Sequence, residues 1–284
     1  MKTSSYLYLI LVIGISACYR TDKPADPDQP VVIKDSMKVI VNDEQPQFNK
    51  NDYMVLAALF HQQSAEYRAL CYQAYNFGRY MLDIDLKDKS IDKHRIVVLD
   101  IDETVLDNSP YQAQCVIDEI NYPVRWDEWC SKASAEAVPG ALDFTKYARA
   151  NGVSVFYITN RKQHLRDVTI ENLRKLGFPH ADTTHVIMRT SEISKEGRRN
   201  DLLEKYHIAL LCGDNLSDFS YVFDEVPNSL RKTEASRLQE EFGSKFIVLP
   251  NAMYGDWELE IYKRQKQQSD SVKSMKRINA LQGF

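Results

Sequence analysis

The chain has no basic excess: 36 Lys and Arg stand against 40 Asp and Glu, a formal net charge of −4. Nothing here suggests a nucleic-acid surface, which needs a clustered basic patch, so no nucleic acid polymer is expected as a partner. No internal repeat stands out, which sets arrayed architectures aside. Cysteine is scarce, five in all, with no C-x-x-C and no nearby Cys/His pair, which argues against a zinc site. No apolar run reaches bilayer length, since Tyr6 to Ile15 ("YLYLILVIGI") is too short to span. What remains is an ordinary globular balance, 44% hydrophobic and 27% charged over 284 residues, enough for one large core plus extra elements.

The short basic start Met1-Lys2 and the apolar run after it read as a signal peptide. It ends in "ISAC", Ile15 to Cys18. Small residues before a cysteine at this distance resemble a bacterial lipobox, with cleavage before Cys18 and a lipid on its sulfur. A plain secretory signal with a chance cysteine is the alternative. Residues 19–48, opening "YRTDKPADPDQP", are polar and Pro-rich and suit a flexible tether. An exported domain can oxidise its thiols. Cys115 and Cys130 flank a loop-like stretch and can pair, whereas Cys71 in a helical pattern and Cys212 in a strand fit buried free thiols.

From Asn51 to about Asp85 apolar residues recur at helical spacing, as one long helix or two in tandem. "RIVVLD" (Arg95 to Asp100) is a continuous apolar run of the kind found in strands covered on both faces. Strands and helices then alternate. Strands are predicted at Val153–Thr159, "HVIMR", Ile208–Asp214 and "FIVLP"; helices near Phe144–Ala150, Gln163–Leu176, Glu192–Tyr206 and Ser229–Phe242. The alternation predicts an α/β fold, a parallel sheet with helices on both faces, plus a smaller mainly helical part from the N-terminal helix and the C-terminal region. The expected boundaries are 1–18 signal, 19–48 tether, 49–262 catalytic domain and 263–284 an exposed C-terminal helix or tail.

In such sheets ligands bind beyond the carboxyl ends of the strands. Four signals fall there in order: Asp100-Ile101-Asp102-Glu103-Thr104, Thr159-Asn160-Arg161, Lys195 at a helix start, and Gly213-Asp214-Asn215 with Asp218 shortly after. Crowded carboxylates raise one another's pKa unless a cation sits among them. The cluster is therefore either a solvated loop or built around a cation. Mg²⁺ takes oxygen ligands, commonly one or two carboxylates with phosphate oxygens, and Asp100 and Asp214 can supply them. A carboxylate such as Asp100 is also a recognised nucleophile toward phosphorus. Asp102, two residues on, can protonate the leaving oxygen if the chain turns there. The Thr159 hydroxyl and the Lys195 ammonium can hold phosphate oxygens. Each signal alone is commonplace in loops, caps and turns; their order along one sheet edge is not.

"VVLDIDETVLDNSPY" and "LLCGDNLSDF" closely resemble the two signatures of the class C bacterial acid phosphatases of the haloacid dehalogenase superfamily, a group that includes outer-membrane lipoproteins. "AVPGALDF", "VFYITNRK" and "LPNAMYGDWE" extend the likeness to about Trp257. The resemblance implies Asp100 as nucleophile and Asp102 as general acid and base. It places Mg²⁺ among Asp100, Asp214 and the Asp102 carbonyl, and phosphate on Thr159, Asn160 and Lys195. Asp218 and Asn215 stand behind these groups. It further implies 5′-nucleotides as substrates, the base stacked on Trp126 and Tyr254, with packing as the alternative for both rings; Trp129 and Trp257 are read as packing. Asn108 and Tyr111 belong to the signature without a role that spacing assigns.

The expectation is thus an exported Mg²⁺-dependent phosphomonoesterase anchored through Cys18, in the outer membrane facing periplasm or surface. Its partners are small phosphomonoesters and the membrane; a homodimer stays open. The rivals are a nucleotide-capturing surface lipoprotein without turnover and a phosphotransferase to acceptor alcohols.

Overall fold

The computed structural model describes residues 49–265 and 267–284. Cys18, the signal segment and the tether lie outside them. A 3₁₀ turn at Asp52–Met54 leads into α1 (Val55–Gln63) and α2 (Ala65–Asp85). The helical stretch is two helices because Ser64 is extended. Its hydroxyl donates to the Phe60 carbonyl, closing α1, and accepts from the Tyr67 N–H, opening α2.

The chain continues through β1 (Arg95–Leu99), β2 (Leu106–Asp107), α3 (Ser109–Ile117), α4 (Trp126–Ser131), β3 (Glu136–Ala137) and α5 (Ala141–Ala150). It then runs β4 (Ser154–Lys162), α6 (Arg166–Leu176), β5 (Val186–Arg189), α7 (Glu196–Lys205), β6 (His207–Gly213), α8 (Asn228–Arg237), β7 (Phe246–Val248), α9 (Asp256–Ile261) and α10 (Asp270–Asn279). No helix among the described residues is long and apolar enough to cross a membrane.

Five strands form one parallel sheet in the order β5-β4-β1-β6-β7. The remaining pair, β2 and β3, makes a small antiparallel ribbon just beyond the end of β1. β1 is central, and its side chains alternate between two cores. Val97 and Leu99 join the larger one, Ile96 and Val98 the smaller one on the other face. Burying each of these aliphatics is worth about 1.5–3 kcal/mol, which explains a run with no polar alternation. Strand order reverses between β1 and β6, so the crevice at their carboxyl ends is the topological switch point.

Several boundaries differ from the sequence expectation. β4 runs three residues past Thr159, with a register break between Ile158 and Lys162, because Arg161 turns inward and is buried. α7 begins after Lys195 rather than at Glu192, and β7 stops at Val248. Cys115 and Cys130 are buried and unpaired, as are Cys71 and Cys212. The C-terminal helix α10 has no buried residue and is anchored through a side chain. Arg277 lies 3.6 Å from the Tyr53 ring centre and donates to the Tyr262 hydroxyl at 2.7 Å.

Candidate active site

β1 delivers Asp100 at its end, where the Asp100 N–H donates to the Cys212 carbonyl of β6 at 2.9 Å. The next residues make a tight turn: the Ile101 carbonyl accepts from the N–H groups of Val105 and Leu106, both at 2.9 Å. Glu103 takes a left-handed φ of 60° to complete it. From behind, the buried Tyr75 of α2 donates its hydroxyl to the Thr104 carbonyl at 2.6 Å.

The turn sends Asp102 toward β4. Its Oδ1 accepts from Asn108 Nδ2 at 2.9 Å and from Arg161 Nε at 2.9 Å, and its Oδ2 faces the Thr159 hydroxyl at 3.4 Å. Thr159 is fully buried, and its Oγ1 accepts from the Arg161 N–H at 3.0 Å.

β6 delivers Asp214. Its Oδ2 accepts from Asn251 Nδ2 at 2.7 Å and its Oδ1 from the Thr104 hydroxyl at 3.4 Å. Asn215 caps the short turn that follows: its side chain accepts from the Ser217 N–H, while Asp218 reaches back to the Asn215 N–H at 3.1 Å. Gly213 is required here, since a Cβ on it would sit 2.5 Å from the Asp218 Cβ. Lys195, at the start of α7, places its ammonium between Asp218 Oδ1, at 2.6 Å, and Asp100 Oδ1.

One oxygen from each of Asp100, Asp214 and Asp218 lies within 4.8 Å of the others. Burial pushes the Asp100 carboxyl up to about 7 against the pull of Lys195, with Asp218 and Asp102 adding to the rise. Burial, then Asp218 and Asp100, holds Asp214 well above the usual carboxylate range. Burial opposes the Lys195 charge, but Asp100 and Asp218 outweigh it and keep the ammonium. Three acids thus share one cation, leaving negative charge that a hard divalent ion would neutralise. The donor set, all carboxylate oxygen, fits such an ion.

The site therefore brings together Asp100, Asp102, Thr159, Lys195, Asp214 and Asp218, with Asn215 as a cap at its edge. Asn160 stands apart: it is exposed, and its Oδ1 accepts from Arg198 Nη2 at 2.7 Å while Arg198 Nη1 donates to the Thr159 carbonyl. Trp126 is not placed as an open stacking face. It is only 8% exposed, edge-on to Tyr111 and Tyr122, with the Arg161 guanidinium 5.3 Å from its ring centre. The ring's surface is spent on packing. Tyr254 is half-buried, three residues beyond Asn251. Trp129 is half-buried and donates its Nε1–H to Asn108, and Trp257 is 43% exposed.

Residues that sequence reasoning left without a role are Asn108, Arg161, Arg198, Asn251 and Glu103. Glu103 is fully buried and accepts from the Asn108 N–H at 2.8 Å. Asn108, Arg161 and Glu103 lay inside the quoted motifs; their contacts, not their spacing, show what they do.

The profile of the HAD superfamily, subfamily IIIB (acid phosphatase), matches residues 31–257. The class C acid phosphatase from Bacillus anthracis is 42% identical and superimposes with a TM-score of 0.81, covering 84% of this chain and 100% of that one. The same enzyme solved with tungstate bound gives 41% identity and a TM-score of 0.80, with the same coverage. Acid phosphatase 1 of Solanum lycopersicum is 31% identical over 167 residues, 54% of this chain and 64% of the relative. A stem 31 kDa glycoprotein of Glycine max is 29% identical over 143 residues, 46% of this chain and 54% of its own length. The match thus spans less than two thirds of either plant relative. Fold, ordered motifs and profile agree: the chain belongs to subfamily IIIB, the acid phosphatases, of the haloacid dehalogenase superfamily.

Proposed function

We propose that this protein is a Mg²⁺-dependent phosphomonoesterase that works through a phosphorylated Asp100. The observation that carries the reading is the convergence of Asp100, Asp214, Asp218 and Lys195 at the ends of β1 and β6, with Asp102 and Thr159 beside them. The Bacillus anthracis relative solved with tungstate is consistent with it, tungstate being a tetrahedral oxyanion like phosphate.

Asp100 and Asp214 would hold the metal, with Asp218 behind them; when bound, the metal supplies charge neutralisation to carboxylates and phosphate. Asp100 then attacks phosphorus, and the P–O bond to the alcohol breaks. Asp102 gives its proton to the departing oxygen. In the second half Asp102 takes a proton from water as that water attacks phosphorus, and the bond to Asp100 breaks to release inorganic phosphate. This acid and base help is worth about 10² to 10⁴ in rate. Lys195 and the Thr159 hydroxyl bind the phosphoryl oxygens as charge spreads over them. Lys195 must then trade part of its bond to Asp100 for substrate.

Nucleoside 5′-monophosphates are the proposed natural substrates, with Tyr254 rather than the enclosed Trp126 as the ring for the base. Attachment through a lipid on Cys18 and a place in the outer membrane belong to the same proposal, supported by the "ISAC" motif.

The test is inorganic phosphate release by the chain lacking residues 1–18, from adenosine 5′-monophosphate and an aryl phosphate, with Mg²⁺ and with EDTA. Release is expected with metal, lost in EDTA and lost in Asp100→Asn. A folded Asp100→Asn protein that still turns over would remove the mechanism. A wild type that binds nucleotide and never releases phosphate would favour a nucleotide-capturing protein.

A further inference from the structure

We propose that Asn108, Trp129 and Arg161 form a clamp on one oxygen of Asp102, Oδ1, so that the other, Oδ2, is the atom presented to the leaving group. The proposal rests on Asp102 being the general acid, and assigns positioning roles to residues that the mechanism above does not use.

The amide of Asn108 is oriented by its partners. Its Oδ1 receives the Trp129 Nε1–H at 2.8 Å and an Arg161 Nη2–H at 3.3 Å. An indole and a guanidinium offer donors only, so the atom facing them must be the carbonyl oxygen. The amide nitrogen is thereby turned to Asp102, where Nδ2 donates to Oδ1 at 2.9 Å. Arg161 donates Nε to that oxygen at 2.9 Å and brings Nη2 to 2.8 Å from it as an ion pair. Two hydrogen bonds and the guanidinium charge thus converge on Oδ1, while Oδ2 has only the Thr159 hydroxyl at 3.4 Å.

A carboxyl group so divided carries its proton on the less satisfied oxygen, and rotation to exchange the two would break the charge-assisted set. The clamp is itself fixed. Asn108 is fully buried, with its backbone N–H on Glu103 Oε1 at 2.8 Å. Arg161 is 3% exposed, donates Nη1 to the Thr169 hydroxyl at 3.2 Å, and lies against the Trp126 ring. Trp126 then serves the site by holding Arg161.

The consequence is a defect that depends on the leaving group. An alkoxide leaves poorly without a proton; an aryl oxide such as nitrophenolate leaves well without one. The measured quantity is kcat/KM, which covers steps only through departure of the alcohol, for an alkyl phosphomonoester and for nitrophenyl phosphate. Asp102→Asn sets the ceiling, an expected loss of about 10²-fold or more on the alkyl ester and far less on the aryl ester. Asn108→Ala is expected to lose about 10²-fold on the alkyl ester and under about threefold on the aryl ester, as misplacement of a catalytic group predicts. Trp129→Phe removes the indole N–H and keeps an aromatic ring at a half-buried position, and about tenfold selective loss is expected. It serves if the buried Asn108→Ala fails to fold. Inhibition by inorganic phosphate should stay as in wild type.

Equal losses on both esters, or no loss, in the folded Asn108 and Trp129 variants would overturn the clamp while Asp102→Asn remains selective. If Asp102→Asn itself shows no leaving-group dependence, the general-acid reading fails first, and the clamp with it.

Discussion

Replacing Asp214 with Asn should make the metal-free protein more stable, and increasingly so as pH rises. Burial, with Asp218 and Asp100 nearby, raises the Asp214 carboxyl well above its ordinary value. An acid raised in this way keeps its proton in the native state after the unfolded chain has released it. Native stability then falls as pH climbs above the unfolded pKa, by about 1.4 kcal/mol per pH unit for one group. Between about pH 5 and pH 7 the wild type gives up stability on this account, a loss that Asp214→Asn escapes because it never ionises. His61 runs the other way: burial lowers its pKa to about 4, so it adds stability as pH rises toward its unfolded value. That contribution is common to both proteins and cancels in their difference. For a domain of this size each kcal/mol of gap amounts to roughly 2–4 °C in Tm. The assay is thermal unfolding of wild type and Asp214→Asn in EDTA at both pH values, repeated with Mg²⁺. Metal at a hundredfold over its Kd adds about 2.7 kcal/mol to the wild type and should add little to the variant. An advantage equal at both pH values, or a variant less stable than wild type at neutral pH in EDTA, would refute the charge argument.

Gly213→Ala should lose both stability and turnover. Its new Cβ would meet Asp218 at 2.5 Å and drive that carboxylate off Lys195, at about 1–3 kcal/mol by thermal unfolding. Near-wild-type phosphate release from this variant would show that Asp218 has no part in the reaction. Tyr254→Ala should raise KM for a nucleoside monophosphate by about 5- to 150-fold, the worth of one stacked base, and leave an aryl phosphate nearly unchanged. Equal effects on the two substrates would assign Tyr254 to packing.

What could be read from the chain follows the range of the interactions involved. β1 was legible because a strand buried on both faces shows as an unbroken apolar run, and the acids at the ends of β1 and β6 follow their strands directly. The two-residue strands β2 and β3 carry no pattern long enough to notice. The extension of β4 is polar in sequence, and only the burial of Arg161 against Asp102, 59 residues away, makes it a strand. The link from Trp129 to Asn108 crosses 21 residues of loop and helix and has no local signature. Trp126, which the sequence leaves between base stacking and packing, has contacts just as remote from its own stretch: Tyr111, Tyr122 and Arg161 close on it.

The hydrogen bond from the Asp100 N–H to the Cys212 carbonyl makes the end of β1 and the end of β6 one ladder. Neighbouring strands in any sheet stand about 4.8 Å apart. Leu99 pairs with Cys212, so Asp214 lies one residue past the position opposite Asp100, and the two acids are spaced by the strand pitch and that fixed offset. The sheet acts as a ruler, sizing the gap between the acids before any side chain turns. Loops around the rim can lengthen or change sequence, altering which ester is admitted, while the gauge stays as the parallel pairing sets it.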